Sequence, residues 1–126
     1  MQDALGIAAG LHEFYRQSDI VYLAFYAQTV NVIGCIKTTK TEAGFAATGL
    51  PLMLYRNHFG TIPVEIANNN EALDIAAAWT EDKKALTIGV VNTTAQEQKV
   101  TMDLKGANLT GAGTVWVIAN SDPMAY

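Results

Sequence analysis

Residues Ile20-Val21-Tyr22-Leu23-Ala24-Phe25-Tyr26-Ala27 form a continuous apolar run, rich in aromatic and β-branched side chains, with no polar alternation. Such a run reads as a strand covered on both faces, the pattern of parallel sheets flanked by helices. It is far too short to span a bilayer. Ahead of it, Leu5, Ala8, Leu11 (or His12) and Tyr15 recur at helical spacing with Asp3, Glu13 and Arg16 to the outside, so an amphipathic helix is expected over 2–17. Ser18 and Asp19 break it. Beyond the run, Thr48 is the expected N-cap of a second helix, Leu50 to Phe59 carries helical spacing, and Gly60 is the expected residue just past its end. Helix, buried strand, long loop and helix make one and a half units of an α/β repeat.

After Gly60 the helical signals stop. Ile62 to Ile66, Leu73 to Trp79, Ala85 to Val91, Lys99 to Leu104 and Thr114 to Ile118 are short β-rich stretches. Turn clusters separate them: Asn68-Asn69-Asn70, Glu81-Asp82-Lys83-Lys84, Asn92-Thr93-Thr94 and Lys105-Gly106. Val100, Met102 and Leu104 alternate with Thr101 and Asp103, as a half-buried antiparallel strand does. Strands at this spacing predict an antiparallel β-sandwich. The expected fold class is therefore α+β, with helical and β parts meeting near residue 61 and no Pro- or Gly-rich linker between them.

Composition narrows the partners. Half of the 126 residues are apolar and 16% are charged, which excludes an intrinsically disordered chain. Twelve acidic against eight basic residues give a formal charge of −4, and the Lys and Arg residues are scattered. Nucleic acid and anionic membranes, which demand clustered basic side chains, are thus not expected as partners. One cysteine, Cys35, cannot build a disulfide scaffold and alone makes no zinc site. In the run Val32-Ile33-Gly34-Cys35-Ile36 it reads as a small buried hydrophobe. Met1 to Gly10 lacks the basic start of a signal peptide.

The strongest candidate for function is Gln28, with Thr29 and Asn31, directly after the apolar run. Ligands in α/β folds bind at the carboxyl ends of strands, where loops converge. A glutamine amide supplies an acceptor and donors, which suits adjacent sugar hydroxyls. The competing reading is that Gln28 ends the strand and bonds to a nearby loop. Trp79, Trp116, Tyr55, Phe59 and Tyr126 could stack on sugar rings, but aromatics in β-stretches more often pack in a core. His12 and His58 fall on expected helices, His58 in a last turn where the helix dipole favours a cation. Glu13, Glu42, Glu65, Glu71, Glu81 and Glu97 form no evident acid/base pair. No metal-ligand spacing, phosphate loop or nucleophile elbow is present, so no catalytic residue, metal ligand or cofactor is expected.

Met1-Gln2-Asp3-Ala4-Leu5 with Gly10-Leu11-His12-Glu13-Phe14 resembles the late barrel helix of glycoside hydrolase family 51. Tyr26-Ala27-Gln28-Thr29-Val30-Asn31-Val32 is similar to that family's last barrel strand and following turn. Thr48-Gly49-Leu50-Pro51 through Leu54-Tyr55-Arg56-Asn57-His58-Phe59-Gly60 resembles its final barrel helix, and Trp116 to Pro123 a strand entering its C-terminal loop. Family members are mostly α-L-arabinofuranosidases built as a (β/α)8 TIM barrel followed by a β-sandwich. The resemblance implies the end of such a barrel over 1–61 and an incomplete sandwich over 62–126. It implies a retaining mechanism with two carboxyl groups about 5 Å apart. It also implies that Gln28 hydrogen-bonds the arabinofuranose next to the scissile bond, with Asn31 in the same motif as a substrate contact or as an orienter of the loop.

The family's two catalytic glutamates sit on earlier barrel strands, upstream of anything matching Met1. The resemblance thus implies a carboxy-terminal piece, truncated at both ends relative to the family and inactive alone, whose parent acts on arabinose-containing oligo- or polysaccharides. Two other readings stay open. One is a non-catalytic sandwich that binds carbohydrate or a partner subunit. The other is a structural piece that completes its core as a homo-oligomer, because an unpaired apolar strand recruits another chain.

Overall fold

The computed structural model describes residues 1–68, 70–122, 124 and 125. Its elements are α1 (Gln2–Arg16), β1 (Ile36–Thr38), β2 (Ala43–Phe45), α2 (Gly49–His58), β3 (Ile62–Val64), β4 (Leu73–Trp79) and β5 (Leu86–Asn92). They make a small α+β structure with two antiparallel sheets, β1-β2 and β3-β4-β5.

The α1 helix buries Ala4, Ala8 and His12, one stripe at a spacing of four residues. Asp3 in its first turn and Arg16 in its last complement the helix dipole. The α2 helix buries Gly49, Pro51 and Tyr55; Pro51 sits in the first turn, where its missing N–H breaks no helical bond. Thr48 stands at the N-cap position but makes no side-chain capping bond. At the other end Phe59 is extended, and the Gly60 N–H donates to Thr87 Oγ1 at 2.8 Å, so the chain leaves α2 straight into β3.

The β4 strand is central in its sheet. It pairs Ile62 with Trp79 and Val64 with Ala77 on one side, and runs from Leu73↔Asn92 to Trp79↔Leu86 on the other. Its buried residues are mostly alanines, Ala76, Ala77 and Ala78, beside Leu73. Small side chains let α1 lie close across β4 and β5 and against α2. Ala8, Tyr55 and Val91 form the core there, packed by Leu5, Leu11, Tyr15, Leu54 and Phe59. Each residue buried in this core adds roughly 1.5–3 kcal/mol if it is a large aliphatic or aromatic one.

The apolar run is the main departure from expectation. Ile20 to Ala27 forms no strand, and Tyr22 and Phe25 are 93% and 86% exposed. A strand buried on both faces needs neighbours on both edges. The β1-β2 sheet that follows is instead an antiparallel hairpin, joined to the segment after the run by a parallel bridge, Val30↔Ile36. The expected α/β repeat is therefore not formed among the described residues. Lys99 to Leu104 and Thr114 to Ile118 are likewise not strands among the described residues, and Met102, Val115 and Val117 face solvent. The long loop between the run and α2, in turn, contains the β1-β2 hairpin that sequence patterning did not mark. Among the described residues, no helix is long and apolar enough to cross a membrane.

Candidate functional site

The turn that follows the apolar run is built by an unusual backbone. Gln28, Asn31 and Val32 have φ of 51°, 56° and 44°. Left-handed backbone at three non-glycine residues stores roughly 1–3 kcal/mol each and persists only where the surroundings over-determine it. Here β1 does so. The Ile36 N–H donates to the Thr29 carbonyl at 3.0 Å, and the Asn31 N–H to the Ile36 carbonyl at 2.8 Å. The Asn31 side chain closes the frame: its Oδ1 accepts from the Thr38 N–H at 2.9 Å, and its Nδ2 donates to Thr38 Oγ1 at 2.9 Å. Lys37 Nζ donates to the Val32 carbonyl at 2.8 Å. Cys35 is buried behind the turn, with Sγ 3.8 Å from the Thr29 carbonyl. Gln28 and Asn31 thus share one loop, and the Gln28 side chain is exposed.

A second polar assembly lies beneath α1. His12 is completely buried. Its Nδ1 donates to Asp74 Oδ1 on β4 at 2.7 Å, and its Nε2 accepts from the Tyr55 hydroxyl on α2. Arg16 donates through Nη2 to the same Asp74 carboxylate and to the Ile75 carbonyl, and through Nη1 to Glu13. Burial holds the His12 imidazole below its ordinary 6.5, against the pull of Asp74, so the ring is neutral and this tautomer satisfies both partners. Asp74 is pushed up by desolvation, but hydrogen bonds from His12 and Arg16 outweigh this and hold it below its ordinary 3.8. Burial pushes the Tyr55 hydroxyl up to about 12, helped by the charge of Asp74. No residue in this group is poised as a free acid or base; each is spent on its neighbours.

That network was legible only in part. His12 falls on the same stripe as Ala4 and Ala8, and a polar residue on a buried stripe requires a partner. Asp74, between Leu73 and Ile75, is the matching signal. Nothing local in the sequence pairs two residues so far apart.

Beside the Arg16–Asp74 pair opens a cleft of about 880 Å³, lined among others by Asp19, Glu65, Asn68 and Glu71. Carboxylate and amide oxygens in this lining can accept hydrogen bonds. Gln28 and Asn31 lie outside its lining. Of the aromatic candidates, Tyr55 and Phe59 pack together in the core, with centroids 4.8 Å apart. Trp116, 49% exposed, stacks on His58 at 4.1 Å. Trp79 ends β4, half-buried, and Tyr126 lies outside the described residues. Among the described residues, no group of three or more His, Cys, Asp or Glu could hold a metal ion.

The model of the alpha-L-arabinofuranosidase C-terminal domain matches residues 1–126. The chain belongs to that family. Two curated relatives match this arabinofuranosidase C-terminal domain over 86 residues. One is a probable alpha-L-arabinofuranosidase C from Aspergillus clavatus, 34% identical. The other is a probable alpha-L-arabinofuranosidase C from Aspergillus flavus, 33% identical. In each case the alignment covers 67% of this chain and 17% of the relative's length. No solved structure matches the chain. The family kinship read from the residues around Gln28, α1 and α2 is thus present over the whole domain.

Proposed function

We propose that this domain is the C-terminal part of a retaining α-L-arabinofuranosidase-like glycoside hydrolase that removes arabinofuranosyl units from arabinose-containing polysaccharides. The observation that carries this reading is the family match over 1–126, which includes the constrained loop of Gln28 and Asn31. In this reading residues 1–61 are the end of the catalytic barrel and 62–126 belong to the accessory sandwich. Gln28 binds the sugar next to the scissile bond: its carbonyl accepts from one hydroxyl while its NH₂ donates to a neighbour. The acid/base and nucleophile carboxyl groups, about 5 Å apart in a retaining enzyme, belong to preceding barrel strands of a longer polypeptide.

The test is a chimaera in which these 126 residues replace the matching segment of the Aspergillus clavatus relative. Hydrolysis of 4-nitrophenyl α-L-arabinofuranoside should fall about 10²-fold in kcat/KM on Gln28→Ala, the loss expected when a sugar-orienting contact goes. Unchanged kinetics in that variant would remove Gln28 from the reaction. The 126-residue chain alone should give no turnover, and measurable turnover would overturn the assignment of the catalytic carboxylates to other strands.

A second reading, a piece that completes its core by association, is favoured by one observation: Ile20, Tyr22, Leu23 and Phe25 are all exposed on a single segment outside the helices and strands.

A further inference from the structure

Gly34 lies where the loop folds back on itself. A Cβ built there would sit 2.5 Å from the Gln28 carbonyl oxygen and 2.7 Å from both the carbon and the oxygen of the Thr29 carbonyl. All three are backbone atoms, which cannot swing aside as a side-chain tip can. The Gly34 N–H also donates to the Asn31 carbonyl at 2.5 Å. Gln28 and Asn31, both left-handed, are therefore gripped from two sides, by the glycine face of residue 34 and by the Asn31–Thr38 side-chain pair. Neither grip touches the Gln28 amide. The Gly34 face abuts the Gln28–Thr29 peptide directly, while the Asn31–Thr38 pair fixes the turn just after it.

We infer that Gly34 and Asn31 are positioning residues for Gln28: the close backbone approach at Gly34 and the Asn31–Thr38 clamp hold Gln28 left-handed and so set the direction of its amide. The inference rests on the reading of Gln28 as the sugar contact, but its conformational half does not. Asn suits position 31 because its short amide tolerates left-handed backbone and bonds to nearby chain atoms. Glycine at 34 is required for space rather than for a positive φ.

Two measurements separate the two claims. In the isotope-labelled 126-residue chain, the Cα and Hα chemical shifts of Gln28 should carry the left-handed signature. Gly34→Ala and Asn31→Ala should each remove it, whereas Asn31→Asp, which keeps the acceptor for the Thr38 N–H, should retain part of it. Persistence of the signature in Gly34→Ala overturns the inference whatever the sugar does. In the chimaera, Gly34→Ala should lower kcat/KM by up to about 100-fold, the cost of a misplacement near 1 Å. Added to Gln28→Ala, it should lower it no further. A full additional loss in the double variant means that Gly34 acts on the fold and not through Gln28. If Gln28→Ala alone changes nothing, the reading of Gln28 fails while the chemical shifts still decide the positioning.

Discussion

His12 and Gly89 meet where the interior is closely packed. A Cβ added at Gly89 would lie 2.5 Å from the Tyr55 hydroxyl and 2.6 Å from His12 Nε2, the two atoms that share a hydrogen bond. Gly89→Ala is expected to cost about 1–3 kcal/mol by overpacking, read as a lower urea midpoint with an unchanged slope. Tyr55→Phe probes the same bond without changing volume. It leaves a buried imidazole acceptor without a donor, and it should cost about 1–3 kcal/mol in the same measurement. A loss within error of zero would mean that water replaces the hydroxyl.

At the scale of elements, one network joins α1, α2 and β4, so its protonation acts on how they pack. His12 sits below its ordinary 6.5, chiefly because it is buried, and Asp74 lies below its ordinary 3.8. For a depressed group the unfolded chain takes the proton first, so stability is lost as pH falls: from about 6.5 downward through His12, then below 3.8 through Asp74. Protonated Nε2 can no longer accept from Tyr55, and a buried imidazolium stands near Arg16. Tyr55 has the opposite sign. It is raised from 10.0 to about 12, so the unfolded chain loses its proton first and stability falls as pH rises beyond 10. Thermal unfolding followed across pH should show a plateau between about 6.5 and 10, and His12→Gln should flatten its acid edge.

Much of this level was legible in advance. The expected helix over 2–17 is Gln2–Arg16, and the strands expected at Leu73 to Trp79 and Ala85 to Val91 are β4 and β5 within a residue at their ends. Each carries its own periodicity, and β4 and β5 pair with each other across a short turn. The β1-β2 hairpin was not legible, because Ile36–Thr38 and Ala43–Phe45 are too short and mixed for alternation to register. At the candidate site, the motif around Gln28 and Asn31 could be singled out by position and resemblance. The left-handed backbone and the grip of Gly34 could not, since they arise from hydrogen bonds to β1.

For the whole molecule, the dominant fact is apolar surface left uncovered. Tyr22 and Phe25 are almost fully exposed, with Val32 at 82% and Val115 at 82% elsewhere on the chain. Large contiguous apolar surface favours association with another chain. Sedimentation of the 126-residue chain should therefore show association that rises with concentration, and Tyr22→Ser combined with Phe25→Ser should shift it toward monomer. A monodisperse monomer at high concentration would remove the second reading of function.

The sequence by itself determined what depends on neighbours along the chain: α1, α2, β4, β5, the burial of Cys35 and the family signature around Gln28. Periodicity and local turns act over a few residues, so they can be read there. Only the tertiary structure decided what depends on partners far away. It made His12 the centre of a buried network by bringing Asp74 and Tyr55 to its two nitrogens. It left most of Ile20 to Ala27 exposed, because a strand buried on both faces exists only where other strands and helices supply the walls.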